Sequence, residues 1–183
     1  MRALRRPLSF AGWRWELLGY VQGRTLEIGC GRGFNFAHYP AGVTLTAFDV
    51  DAARLRQAAR RRVPVRLVQA SAEQLPWPAQ TFDSVVGTLV FCTIPDAPQA
   101  LAEARRVLRP GGRLYLVEHV RSHHAWLGAA QDRLAPAWHW AANGCHLNRD
   151  TETAVRAAGF ELERLTLGYS GLLKLMIAKP RMV

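Results

Sequence analysis

Along the first two thirds of the chain, short apolar and β-branched runs alternate with segments whose apolar positions recur at helical spacing. The strand-like runs fall at residues 25–28, 43–48, 63–68, 84–90 and 113–117. They are almost uninterrupted in hydrophobicity, as parallel strands covered on both faces are, and Pro64 near the start of the third suits an edge position. Asp51 is placed to cap a helix carrying Leu55, Ala58 and Ala59. Asp96 is placed to cap another, with Gln99 three residues on as in a capping box and Leu101, Ala104, Val107 and Leu108 on one face. Arg109-Pro110-Gly111-Gly112 then stops that helix. Beyond residue 120 the pattern predicts a helix over 126–141 interrupted by Pro136, another over 150–158 closed by Gly159, and strands near 160–167 and 171–178 forming a hairpin. Residues 1–22 read as an N-terminal helical extension.

This alternation predicts an α/β fold: a Rossmann-like, doubly wound sheet of seven strands, five parallel plus a C-terminal β-hairpin, with helices on both faces. The 183 residues contain no repeats or Gly/Ser linkers and fit one domain. Hydrophobic residues make up 49% and charged residues 21%, ordinary for a globular chain, and no apolar run approaches the ~20 residues that cross a bilayer. Residues 1–7 are charged but lack the apolar stretch of a signal peptide, so a cytoplasmic location is expected. Cys30, Cys92 and Cys145 are odd in number, widely spaced and form no CxxC pair, which argues for reduced thiols over a disulfide framework or zinc ribbon.

The net charge of +10 comes almost wholly from arginine, since Lys174 and Lys179 are the only lysines. Clusters lie at Arg2/Arg5/Arg6, Arg54/Arg56/Arg60/Arg61/Arg62 and Arg105/Arg106/Arg109. Such a surface suits nucleic acid, an anionic lipid surface or an acidic substrate, and it is equally the solvated face of arginine-rich helices.

The densest chemical signal is Glu27-x-Gly29-x-Gly31-x-Gly33 directly after the first strand. Glycines between a strand and a helix let the backbone approach a ligand closely. A dinucleotide fingerprint would need Gly or Ala at position 34, where this chain has Phe34, and the Gly-Lys-Ser/Thr of a P-loop is absent. Glu27 suits a cationic ligand. Asp49 ends the second strand, 18 residues beyond Gly31, where an acid can accept both ribose hydroxyls. Residues 70–76 form the loop after the third strand, placed to hold an adenine.

On these residues the chain resembles the class I S-adenosylmethionine-dependent methyltransferases, in the branch that includes the ubiquinone- and menaquinone-biosynthesis enzymes, over residues 24–180. The resemblance implies S-adenosyl-L-methionine as cofactor. It puts the methionine moiety against Glu27, Gly29, Gly31 and Gly33, the ribose on Asp49, and the adenine on Ser71, Ala72 and Glu73, and Cys30, Val50 and Leu89 are counted with them as cofactor-binding. Where this chain has Ser71 the family commonly has Asp. Residues 23–120 are then the cofactor-binding half, and residues 121–183 the acceptor-side helices and hairpin. The runs at 87–93, 118–120, 135–139 and 143–148 are similar to the membrane-associated alkyl-thiol methyltransferases of animals and, more distantly, to some bacterial phospholipid methyltransferases.

In open α/β sheets ligands lie beyond the carboxyl ends of the strands, which points to residues 90–93 and 118–119 for the acceptor. His119 is the candidate base because imidazole titrates near physiological pH, and packing against a loop carbonyl is its bland alternative. Glu118 is a candidate to orient His119 or contact the acceptor. Phe91, Cys92, Thr93, Trp138 and His139 are the expected pocket. His123, His124, His139, His146 and Cys145 match no ligand spacing, so no metal is expected. Amino-directed nucleic-acid enzymes carry an Asn/Asp-Pro-Pro-aromatic motif where this chain reads Phe91-Cys92-Thr93-Ile94-Pro95. The expected partner is therefore a small, apolar acceptor (a thiol, a quinone-like ring or a lipid amine) rather than nucleic acid, with peripheral contact to an anionic membrane left open. The competing classes are a nucleic-acid methyltransferase and a non-enzymatic cofactor-binding module.

Overall fold

The computed structural model describes residues 9–142 and 144–181; the Arg2/Arg5/Arg6 cluster and Asn143 lie outside them. Helix α1 (Phe10–Leu18) precedes β1 (Arg24–Ile28), β2 (Thr44–Asp49), α2 (Ala52–Ala59), β3 (Val65–Gln69), β4 (Phe82–Thr88), α3 (Ala97–Val107) and β5 (Leu108–His119). Then come α4 (Ala125–Ala141), α5 (Thr151–Ala157), β6 (Phe160–Gly168) and β7 (Leu173–Pro180). The seven strands form one sheet in the order β3-β2-β1-β4-β5-β7-β6, the first five parallel and β7 antiparallel to both its neighbours. This is the expected doubly wound sheet with its terminal hairpin.

Alternation along the strands divides the buried side chains between the two faces of the sheet. Leu26, Ile28, Val85, Leu114, Leu116 and Met176 pack on one face with Leu101, Ala104 and Val107 of α3 and Val155 of α5. Val86, Tyr115, Val117, Leu175 and Ile177 point the other way, against Trp13, Leu17 and Leu18 of α1. Both faces are covered, so the strands read as continuous hydrophobic runs.

The helix ends refine the sequence reading. Asp51 caps α2 by accepting the amides of Ala53 and Arg54 at 2.7 and 3.2 Å. Asp96 caps α3 by accepting the Gln99 amide at 3.0 Å, but the return half of the box is replaced. The Asp96 amide donates to Glu73 at 2.8 Å, and the Gln99 side chain donates to the Glu73 carbonyl at 3.2 Å, which ties the loop after β3 to α3. Helix α3 ends at Val107, so Arg109-Pro110-Gly111-Gly112 lies within the irregular start of β5 rather than at a helix stop. Pro136 sits inside α4 without dividing it.

The turn at residues 89–94, beyond β4, positions the site. Leu89 adopts a left-handed φ of 52°, uncommon for a residue with a branched side chain. Two side chains, one buried and one half-buried, hold the turn. Glu118 of β5 is fully buried, and its Oε1 accepts the amides of Val90 and Phe91 at 3.0 and 3.2 Å. Arg149 Nη1 donates to the carbonyls of Phe91 and Ile94 at 2.5 and 2.6 Å. One carboxylate thus takes the amide side of the turn, and one guanidinium takes the carbonyl side.

Burial pushes the Glu118 carboxyl up to about 7, opposed by the backbone amides of residues 90–92 and by Arg149. A carboxyl raised in the folded state stabilises the fold fully below its ordinary pKa, and that contribution is lost as pH rises toward 7. Chemical denaturation of the wild type and Glu118→Gln from pH 4.5 to 8 is therefore expected to show the variant gaining on the wild type with rising pH, by up to about 3 kcal/mol. A pH-independent difference would refute this account of Glu118.

A candidate donor and acceptor site at the carboxyl edge of the sheet

The chain leaves β1 through Gly29, Gly31 and Gly33, all left-handed with φ of 61°, 54° and 70°. Gly29 is required by packing, because an added Cβ would stand 2.2 Å from Val90 Cγ2. Gly31 is open, with nothing within 4 Å of where its Cβ would be. Asp49, at the end of β2, is 4% exposed, and its two oxygens accept the amides of Gly31 at 2.8 Å and Asp51 at 3.0 Å. It therefore fixes the glycine turn to the end of the neighbouring strand.

A cavity of about 290 Å³ opens over this turn, lined among others by Arg14, Glu27, Cys30, Asn35, Thr88 and Leu89. Glu27 is buried, accepting from Asn35 Nδ2 at 2.8 Å and from the Tyr39 hydroxyl at 2.9 Å. Burial pushes its carboxyl up to about 7 against the pull of Tyr39, Asn35 and Arg14. Asn35 Nδ2 also donates to Thr88 Oγ1 at 3.0 Å, which uses both of its protons. Its Oδ1 is buried and has no donor among the described residues. A buried carboxylate beside an unmet acceptor oxygen fits the ammonium of S-adenosylmethionine.

The remaining expected cofactor residues sit differently. Val50 is 65% exposed. Ala72 packs into the core beneath α3. Ser71 and Glu73 bond each other, with the Ser71 hydroxyl donating to Glu73 at 3.1 Å and accepting the Glu73 amide at 3.2 Å. None of these four lines the cavity over the glycine turn, and Glu73 is committed to the start of α3. Arg14, Asn35, Tyr39 and Thr88 escaped the sequence reading. The available signal was Glu27 itself, since a carboxylate within a buried strand needs donors and Asn35 and Tyr39 are the polar residues just past the turn.

A second, apolar cavity of about 560 Å³ lies alongside. Leu89, Cys92 and Thr93 line it from the end of β4 and His119 from the end of β5, with Trp138 and Cys145 on one side. Tyr169, Leu172 and Leu173 come from the β6–β7 turn, a contribution the sequence did not reveal. Leu89 lines both cavities. Burial lowers the His119 pKa, so the ring is neutral near pH 7, and its Nδ1 is buried without a hydrogen-bond partner among the described residues. The Cys92 thiol is pushed up by burial and stays protonated.

Three expected residues fall outside this cavity. Glu118 neither orients His119 nor lines this cavity, because neighbours on a strand point to opposite faces. Phe91 is fully buried in the core on the α3 face. His139 is exposed, with its ring 4.6 Å from that of His146. Among the described residues no helix is long and apolar enough to cross a membrane.

A family model for a methyltransferase domain matches residues 26–116, from β1 into β5. Human thiol S-methyltransferase TMT1A is 37% identical over 148 residues, covering 76% of this chain and 61% of that protein. The phosphatidylethanolamine N-methyltransferase of Cereibacter sphaeroides is 33% identical over 120 residues, covering 62% and 59% respectively. The chain thus spans about 60% of the length of these relatives. An S-adenosylmethionine-dependent methyltransferase from Mesorhizobium loti shares the fold with a TM-score of 0.69 at 18% identity, over 92% of this chain and 96% of that one. A glycine turn tied to an aspartate, a cavity suited to an ammonium and a matching domain lead to one conclusion: the chain belongs to the class I S-adenosylmethionine-dependent methyltransferases.

Proposed function

We propose that the chain transfers a methyl group from S-adenosylmethionine to a small apolar acceptor, and that the acceptor is a thiol. The observation that carries the reading is the shared wall: Leu89 borders the polar cavity over the glycine turn and also the apolar cavity containing His119. Donor and acceptor would then meet across one side chain, and alignment of the two supplies much of the rate. The bound cofactor supplies an electrophilic methyl group on a sulfonium whose leaving group is already good.

The chain's own residues do the rest. Glu27 and Asn35 would hold the ammonium, and Asp49 would hold the ribose while keeping the turn in place. The apolar wall would exclude water from the reacting sulfur. A thiol reacts as its thiolate, so a proton has to leave, and the neutral imidazole of His119 is the group in the cavity suited to take it. The likeness to a thiol S-methyltransferase supports the choice of sulfur over nitrogen or a ring carbon.

Calorimetry is expected to show S-adenosylmethionine binding that Asp49→Ala weakens by ~tenfold or more, since two backbone amides lose their acceptor. No binding to the wild type would overturn the reading. Affinity should fall as pH drops below about 7, where Glu27 takes up a proton and loses its charge, and Glu27→Gln should flatten that dependence. In transfer assays against alkyl thiols, quinols, phospholipid vesicles and RNA, the thiols should be methylated. With a thiol acceptor, His119→Ala should cost ~100-fold near neutral pH, and less as pH approaches the acceptor's own pKa. An unchanged rate would remove His119 from the reaction.

A further inference from the structure

Helix α4 is built inside out. It is held to the body by polar contacts. Gln131 is buried, accepting the Ser122 amide at 2.7 Å and donating to the carbonyls of Val120 at 3.0 Å and Leu147 at 2.8 Å. Asp132 pairs with Arg121 at 2.9 Å and accepts from Asn148 at 2.9 Å. Gly128 and Gln131 are the only buried residues in its 17.

Three large apolar side chains face outward. Trp126 is 73% exposed, Leu134 60% and Trp140 88%. At 100° per residue these positions and the exposed Ala137 fall on one side of the helix, and the only charge among them is Arg133. A strip ~21 Å long with two bare indoles is more apolar surface than a helix facing only water carries.

We propose that α4 is a docking face for an anionic lipid bilayer, lying in the plane of the interface with Trp126, Leu134 and Trp140 inserted and Arg133 against lipid phosphates. Two features favour this occupant. Indoles with an apolar body and a polar N–H prefer the headgroup boundary. The charges also complement it: the chain carries +10, and the strip itself carries one cation and no anion. At the same carboxyl edge, a groove of about 710 Å³ is lined by Arg32, Arg56, Arg60 and Arg61, and it shares Arg32 and Phe34 with the donor cavity. Trp138, on the same helix, borders the apolar cavity, so a docked helix would put that cavity's rim beside the layer in which apolar acceptors dissolve. The proposal deepens the reading of an apolar acceptor and rests on it only for that last point.

The test is binding of the full chain to phosphatidylcholine vesicles with and without phosphatidylglycerol, followed by co-sedimentation and by tryptophan emission. The expected result is salt-sensitive binding to the anionic vesicles with a blue shift. The double variant Trp126→Ser/Trp140→Ser should lower the partition coefficient ~tenfold or more while S-adenosylmethionine affinity and Tm stay unchanged. Absence of binding overturns the proposal, as does binding that the double variant retains in full. A wild type that is dimeric by light scattering and becomes monomeric in the double variant would assign the face to a second copy instead. Because the readout needs no turnover, a failure to methylate thiols would leave it standing. Loss of vesicle binding would likewise leave transfer to soluble thiols intact.

Discussion

The turn at the end of β4 is short, irregular and largely buried, and of its amides and carbonyls only some are met by the sheet or by the turn itself, as the Leu89 amide is by the Val117 carbonyl. Glu118 takes the amides of Val90 and Phe91, and Arg149 takes the carbonyls of Phe91 and Ile94. Held from both sides, the turn can keep Leu89 in a left-handed conformation that an isolated segment would leave. Much else follows from that hold. Val90 fills the space that Gly29 leaves free, so the clamp also sets the glycine turn. Leu89 then stands between the two cavities, and Cys92 and Thr93 line the second.

Three carboxylates are buried in this sheet, and beside Asp49 the two glutamates have surroundings that give them different tasks. Glu118 meets backbone amides on the side facing α3 and lines neither of the two cavities, and its work is structural. Glu27 is met by an amide and a phenol, borders a cavity and has Arg14 nearby. Desolvation is the largest influence on both, so the cost of burying a charge is similar. At Glu27 that cost is spent on a charge that a cationic ligand can neutralise.

The order of elements was legible because it rests on periodicity, which survives without tertiary information. Both strand faces are buried and both helix caps act locally, so the runs and the capping aspartates could be read directly. The donor half of the site was legible where backbone geometry demands glycine, as at Gly29 and Gly31. It was not legible where side chains arrive from elsewhere: Arg14 comes from α1, and Thr88 from the far end of β4. On the acceptor side, adjacency in sequence misled. Glu118 and His119 are neighbours in the chain, yet the two-residue period of a strand sends them to opposite faces. The contribution of the β6–β7 turn could not be seen at all, because nothing local in Tyr169, Leu172 or Leu173 distinguishes a cavity wall from a hairpin end.

That hairpin turn has a further meaning. It reverses the chain through left-handed residues at 169–171, and its carbonyls are held by the Val120 amide and the Ser122 hydroxyl. It belongs to the last antiparallel pair of the sheet, remote in sequence from the glycine turn and from Asp49. One wall of the apolar cavity is thus written in a stretch of polypeptide separate from the glycine turn, while Leu89 is common to both cavities. Lengthening, shortening or recolouring the hairpin end would reshape the apolar wall and leave the donor cradle as it is. On the proposed reading, the same scaffold is retuned to new acceptors by changes confined to one loop.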